Sequence, residues 1–286
     1  MITIKTPATS ANVGPGFDTL GLAVSLFNTF DVEESKEDRL ENVEDRFNNK
    51  DNLFLKAFHA AADYLHLDTH VHAIFHTGIP VSRGLGSSAS MITGGILACN
   101  ALSNKKLTDQ EILQLAGTLE GHPDNAAPCI FGGLTASIKE GDTFITHPLE
   151  IDPDWKFCVY IPDFEVSTQK ARAILPDSYP RAVAAGNGAR LLYMSEGLRT
   201  GDMKLVRLGA KDAIHEPYRK TLITGFDEVK EIVENDTGGI LLISGSGSTC
   251  ISISRKELSK EAEETLHAKF PGWQIHKVTV TTGALV

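Results

Sequence analysis

Two glycines and two serines stand together in Pro80-Val-Ser-Arg-Gly-Leu-Gly-Ser-Ser-Ala-Ser90, between an alternating stretch ending at Thr77 and a run of small, helix-compatible residues. Glycines let a backbone approach a ligand closely, and the start of a helix leaves several N–H donors unpaired. Those donors and the helix dipole suit a phosphate group. The hydroxyls of Ser87 and Ser88 add groups able to reach phosphate oxygens or a Mg²⁺ ion. Neither common nucleotide motif fits. No Lys follows the glycines, so this is not G-x-x-x-x-G-K-[ST], and the G-x-G-x-x-G spacing fails. Taken alone, the stretch reads equally well as a Gly/Ser turn before a helix.

Two further loops carry polar chemistry. Ser244-Gly-Ser-Gly-Ser-Thr249 is glycine-rich, and by itself it is compatible with a flexible hairpin. Glu120-Gly-His-Pro-Asp-Asn125 gathers an acid, an imidazole and an amide where a helix ends. Its apolar neighbours Ala126, Ala127 and Ile130 favour a buried polar site over a solvent loop.

The elements that must hold these loops follow from periodicity. Ile2–Thr9 alternates as a strand and runs into a Gly/Pro-punctuated loop, residues 10–18. Leu20–Val32 reads as a long strand or strand pair, and Asp31–Lys50 as a charged connection with an edge strand. Leu53, Phe54, Ala57, Phe58, Ala61 and Leu65 make a helical stripe over Asn52–His66. His70, His72 and His76 alternate with Val71, Ala73 and Phe75. Solvent exposure on one strand face accounts for these histidines, although their type also suits a metal. Ser87–Leu102 and Thr108–Leu119 read as helices, the second with a Thr108/Glu111 capping box. Ile130–Ser137 returns to strand. After Asp152-Pro-Asp154 the pattern restarts, with a strand at Phe157–Ile161 and helices at Tyr179–Thr200 and Phe226–Glu234. Gly239–Ser244 and Thr249–Ser254 then pair, a charged helix follows from Glu257, and a last strand lies near Gln274–Val280. The alternation predicts an α/β or α+β chain with domains 1–150 and 151–286.

The 286 residues carry a formal charge of −10 and 42% hydrophobic residues, typical of a globular chain able to bury a core. An acidic balance argues against nucleic-acid binding, which needs a basic footprint. No apolar run is long enough to span a membrane, and the first residues lack the pattern of a secretion leader. Cys99, Cys129, Cys158 and Cys250 are scattered singly, which predicts buried, reduced thiols and a cytoplasmic location.

Together the three loops resemble the GHMP kinase superfamily, named for its galactose, homoserine, mevalonate and phosphomevalonate members. Pro80–Ser90 is similar to its phosphate motif, P-x-x-x-G-L-G-S-S-[AG]. Ser244–Thr249 resembles its C-terminal glycine motif, with Ser248 where proline is common. Within the superfamily the chain looks like the homoserine kinases. The opening Pro7-Ala-Thr-Ser-Ala-Asn-Val-Gly-Pro-Gly-Phe-Asp-Thr-Leu-Gly21 is similar to that family's signature almost letter for letter. Asp124–Pro128 with Phe131–Gly133, Ser167–Pro176 and Glu216–Arg219 match further motifs. The matches run from residue 2 to beyond residue 250.

This resemblance implies a two-domain α+β fold. Its N-terminal half would be a ribosomal-protein-like α/β sandwich and its C-terminal half a ferredoxin-like one, with the active site between them. It implies phosphorylation of the side-chain hydroxyl of homoserine, with ATP and Mg²⁺. ATP would be held by Pro80, Val81, Ser82, Arg83, Gly84, Leu85, Gly86, Ser87, Ser88, Ala89 and Ser90. Asn52 would lie near adenine, either bonding the base edge or capping a helix. Ser88 and Glu120 are the implied metal ligands. Arg172 and Arg219 would clamp the substrate carboxylate, because a planar guanidinium pairs bidentately with it. Asp18, helped by Asn12, would take the ammonium group, with His122 also near the substrate. Thr168 would offer a hydroxyl near the γ-phosphate.

Where mevalonate and galactose relatives place an Asp as general base, the sequence reads Asn125, which cannot accept a proton at neutral pH. Asp124 lies one residue out of register. The expected chemistry is therefore direct transfer with no protein base. Mevalonate lacks an ammonium group, so Asp18 and Asn12 favour the amino acid. A catalytically silent nucleotide binder is opposed by the intact Gly84–Ser88 loop and both arginines. Expected partners are small molecules, with neither nucleic acid nor membrane. A homodimer is compatible with the resemblance, though no interface is legible.

Overall fold

The computed structural model describes residues 1–286. In the N-terminal half, β1 (Ile2–Ala11) and β2 (Leu20–Ser35) form a long antiparallel pair, with a register irregularity between Pro7 and Ala8. A short β3 (Arg39–Glu41) precedes α1 (Leu53–Leu65) and β4 (His70–Thr77). Next come α2 (Ser87–Leu102), α3 (Asp109–Glu120), α4 (Pro123–Phe131), β5 (Leu134–Glu140) and β6 (Thr143–Leu149). The sheet runs β3-β4-β2-β5-β6, and β1 pairs with β2. The stripe on α1 buries Phe54, Ala57, Phe58 and Ala61 against Phe30, Val71 and Phe75 of the sheet, with Ile92 and Ile96 of α2 closing the layer. Asn52 caps α1, His66 ends it in the left-handed conformation, and α3 carries the Thr108/Glu111 capping box.

The C-terminal half begins with β7 (Lys156–Ile161) and α5 (Thr168–Ala173). It continues through α6 (Arg181–Thr200), α7 (Met203–Gly209), α8 (Glu216–Arg219) and α9 (Phe226–Thr237). β8 (Ile240–Ile243), β9 (Cys250–Ser254), α10 (Lys260–Lys269) and β10 (Gln274–Val278) complete it. Its sheet is antiparallel throughout, in the order β10-β7-β9-β8. One apolar cluster crosses the junction, joining Val13, Leu22 and Leu85 to Val159, Leu242 and Ile251. The two walls of the cleft are thus fixed to a shared core.

Three expectations change. The strand expected from Ile130 starts only at Leu134, because α4 runs to Phe131 and the positive-φ pair Gly132 and Gly133 turns the chain. A short apolar run does not by itself distinguish helix from strand. The chain's last residues do not stay with the C-terminal unit. Thr281 N–H donates to Ala23, Gly133 N–H to Thr281, and Leu285 N–H to Lys5, so residues 279–286 return to the N-terminal sheet. The histidines of β4 are only in part a solvated face, because acids of the flanking strands β2 and β3 cover His72 while His76 stays exposed. His72 is only 14% exposed between Glu33 and Glu41, His76 meets Asp31, and His70 faces Asp38. All four cysteines are buried and unpaired, and no helix is long and apolar enough to cross a membrane.

Candidate active site

A cleft of about 710 Å³ lies between the halves, floored by the Pro80–Ser88 loop. Four successive carbonyls of that loop, Arg83 to Gly86, are turned into the protein. Arg83 O accepts from Thr249 N–H, Gly84 O from the Ser244 hydroxyl at 2.6 Å, Leu85 O from Thr9 N–H, and Gly86 O from Ser90 N–H. None of the N–H groups of Gly84 through Ala89 donates to a protein acceptor, and no side chain caps the start of α2. A run of amides is thereby left to converge on an anion, reinforced by the helix dipole.

Both glycines are required by their surroundings. Gly84 has φ +77°, and a Cβ there would fall 2.3 Å from Ser244 O. At Gly86, φ is +64° and a Cβ would fall 1.9 Å from Thr9 Oγ1. The second glycine loop therefore buttresses the first. Ser248 contributes a tether of its own: its buried hydroxyl donates to Phe164 O at 2.6 Å, a bond that proline could not make.

Charged groups gather at the other end of the cleft. Arg172 donates bidentately to Asp18, at 3.0 and 2.9 Å. Arg219 is 2% exposed and spends its donors on two carbonyls, Ala171 O and Gly245 O, with no acid paired to it. Burial, with Arg172 nearby, draws its pKa down to about 10, so it remains a cation at neutral pH. Phe17 lies beneath both arginines and stacks on the buried ring of His215, whose Nε2 meets Gly14 O. Asn12 ties this loop to the second glycine loop by donating to Gly245 O.

Between the two ends, the Ser88 hydroxyl donates to Glu120 at 2.6 Å, and burial pushes the Glu120 carboxyl up. His122 Nδ1 lies 2.7 Å from Asp124, whose hydrogen bond raises the imidazole pKa. Asn125 accepts from Thr9 Oγ1 at 2.7 Å, which turns its amide nitrogen toward the open space. Thr168, at the start of α5, lines the same cleft.

Some residues expected at the nucleotide do other work. Leu85 is fully buried in the shared core, Ala89 packs inside, and the Ser90 hydroxyl bonds Thr6 and Asn28. The Arg83 guanidinium reaches across to Pro162 O, Asp163 O and Glu165, latching the loop to the C-terminal half. Of the two roles left open for Asn52, the structure builds the cap. Its Oδ1 accepts from Phe54 and Leu55, and its Nδ2 donates to Phe47 O.

The chain matches the GHMP kinases N terminal domain over residues 52–133 and the GHMP kinases C terminal domain over 194–272. It is 39% identical to a homoserine kinase of Clostridium botulinum, covering 98% of this chain and 96% of that one. It is 38% identical to a homoserine kinase of Clostridium acetobutylicum, over 97% of each. This chain belongs to the homoserine kinase family. The crystal structure of homoserine kinase from Cytophaga hutchinsonii superposes with a TM-score of 0.87 at 27% identity, covering 99% of this chain and 96% of that one. Like GHMP kinases generally, this homoserine kinase family member uses ATP as phosphoryl donor.

The sequence reading missed residues that complete this family's cleft here. Thr9, Phe17 and Ser244 sit inside or beside quoted motifs, but only their contacts show what they hold. His215 directly precedes the Glu216–Arg219 motif, and its burial beneath Phe17 has no signal in the sequence.

Proposed function

We propose that this chain transfers the γ-phosphoryl group of ATP to the side-chain hydroxyl of L-homoserine, giving O-phospho-L-homoserine and ADP on the route to threonine. The observation that carries this reading is the placement of unpaired amides at one end of the cleft and an unpaired buried guanidinium, Arg219, at the other. The first end suits a triphosphate and the second a carboxylate. Asp18 and Arg172 already match the charges of an amino-acid zwitterion. The substrate ammonium replaces Arg172 on Asp18, and the carboxylate joins Arg172 and Arg219. One half-exposed ion pair is thus exchanged for contacts of both signs across the substrate.

Asn125 Nδ2 orients the alcohol toward the γ-phosphorus, with Thr9 fixing the amide. The alcohol oxygen bonds to phosphorus, the bond to the β–γ bridging oxygen breaks, and the hydroxyl proton passes to a γ-phosphate oxygen. A loose transition state asks little activation of the nucleophile, so positioning and electrostatics do most of the catalysis. Ser88 and Glu120 offer adjacent oxygen donors, the type Mg²⁺ prefers beside substrate phosphates. When bound, Mg²⁺ would neutralise charge on those phosphates. A cytoplasmic setting accords with four buried, unpaired thiols.

ADP release measured with homoserine, with mevalonate and without acceptor tests the assignment. Homoserine alone should stimulate turnover, and Arg172→Ala should raise its KM by at least about tenfold, the loss of one charge-assisted contact. Equal stimulation by mevalonate would overturn the substrate assignment. Asp124→Asn tests the absence of a base separately. Its kcat should fall less than about tenfold, whereas removal of a true general base would cost roughly 10²–10⁴-fold.

A further inference from the structure

Away from the cleft, Asp38, His59 and His70 bring one carboxylate and two imidazoles together, with ligand atoms all within 4.8 Å of one another. The three arrive from different elements: the turn between β2 and β3, the middle of α1, and the first residue of β4. Asp38 Oδ2 lies 2.7 Å from His59 Nε2, and its Oδ1 lies 3.4 Å from His70 Nδ1. The carboxylate is itself held in place, because Oδ1 accepts from the Val71 N–H at 3.1 Å. His70 Nδ1 is shielded from solvent and has no hydrogen-bond partner, although it points at the carboxylate. A shielded nitrogen lone pair or N–H normally finds a partner. Here the missing partner coincides with a pair of other metal-ligating groups.

We propose that this cluster binds one divalent transition-metal ion of the zinc type. Two imidazoles and a carboxylate favour Zn²⁺, Co²⁺ or Ni²⁺ over Mg²⁺, which prefers oxygen donors alone. Tetrahedral zinc with ligands at about 2.0–2.2 Å places its donors roughly 3.3–3.5 Å apart. The Asp38–His70 separation already meets that spacing. His59 Nε2, now 2.7 Å from Asp38 Oδ2, must draw back by at least about half an ångström as it exchanges its hydrogen bond for the ion. The side chains of Asp38, His59 and His70 are 26%, 38% and 42% exposed, so the ion has an open path and water completes its shell.

Occupancy would staple the β2–β3 turn to α1 and β4. β3 leads directly into residues 42–49, several of which line the nucleotide cleft. The ion is therefore a structural clamp behind one cleft wall, separate from the oxygen donors Ser88 and Glu120.

Titration of metal-stripped protein with Zn²⁺ by calorimetry, and with Co²⁺ by visible absorption, tests this without using activity. The expected result is one site per chain, visible Co²⁺ bands of a four-coordinate site, and a Zn²⁺-dependent rise in Tm. Outer-shell partners alone are worth about 10–100-fold in metal affinity. His59→Ala, His70→Ala and Asp38→Asn should each therefore weaken binding by at least about tenfold. His76→Ala, on the same strand but paired with Asp31, and Glu120→Gln, in the cleft, should leave it intact. No Zn²⁺ binding, or binding that survives the first three variants, would overturn the proposal. So would loss of the site in Glu120→Gln.

Discussion

Arg219→Leu is expected to raise the KM for homoserine by roughly 10²–10³-fold, within the cost of about 2–5 kcal/mol for truncating a buried, hydrogen-bonded charge pair. Arg219 is buried yet has no acid beside it in the protein. A buried cation without an anion is unfavourable, and the incoming carboxylate removes that penalty. The side chain is held by Ala171 O and Gly245 O over the Phe17 ring, so its fork is aimed before substrate arrives. Steady-state kinetics should show the ATP KM changing far less than the homoserine KM. Arg219→Lys should recover part of the loss, since it keeps the charge but not the planar pair of donors. A homoserine KM unchanged in Arg219→Leu would remove this residue from substrate recognition.

Gly84→Ala is expected to lower kcat/KM for ATP by about 10³-fold or more, since each preorganised donor aimed at developing charge is worth roughly 10²–10³. Alanine at φ +77° carries a left-handed penalty of about 1–2 kcal/mol. The larger effect is steric. The new methyl would fall 2.3 Å from Ser244 O and 2.8 Å from Gly247 O, backbone atoms that cannot rotate away. The phosphate loop must then leave the second glycine loop, breaking the Ser244–Gly84 and Thr249–Arg83 bonds that turn its carbonyls inward. Its amides would no longer converge. Nucleotide binding by calorimetry should weaken in parallel, with a circular-dichroism spectrum still that of the folded chain. Near-normal ATP binding would show that the loop tolerates separation.

Local sequence was enough for much of the framework. The stripe from Phe54 to Leu65, the Thr108/Glu111 capping box and the Gly-Ser start of α2 each specify their element through contacts a few residues apart. The turn through Gly84 and Gly86 into α2 was legible for the same reason, whereas its reading as a phosphate loop came from the family resemblance. The substrate end was legible only through its resemblance to a family, because Asp18, Arg172 and Arg219 are far apart in the chain. The Asp18–Arg172 pair, and the Phe17 platform beneath both arginines, come from packing of one half on the other.

The remainder was decided by tertiary structure. Sequence left Asn52 either reading a base or capping a helix; only its contacts with Phe47, Phe54 and Leu55 show the cap, on a residue that also lines the cleft. Of the β4 histidines, His76 does face solvent but His72 does not, because period-two alternation marks faces but not what covers them, and here β2 and β3 supply acids on both sides of His72. The amino-acid order thus determined which backbone amides would be left unpaired at a helix start. Only the folded chain decided where an uncompensated charge would stand to meet them, because burial and electrostatic pairing depend on neighbours that sequence distance does not reveal.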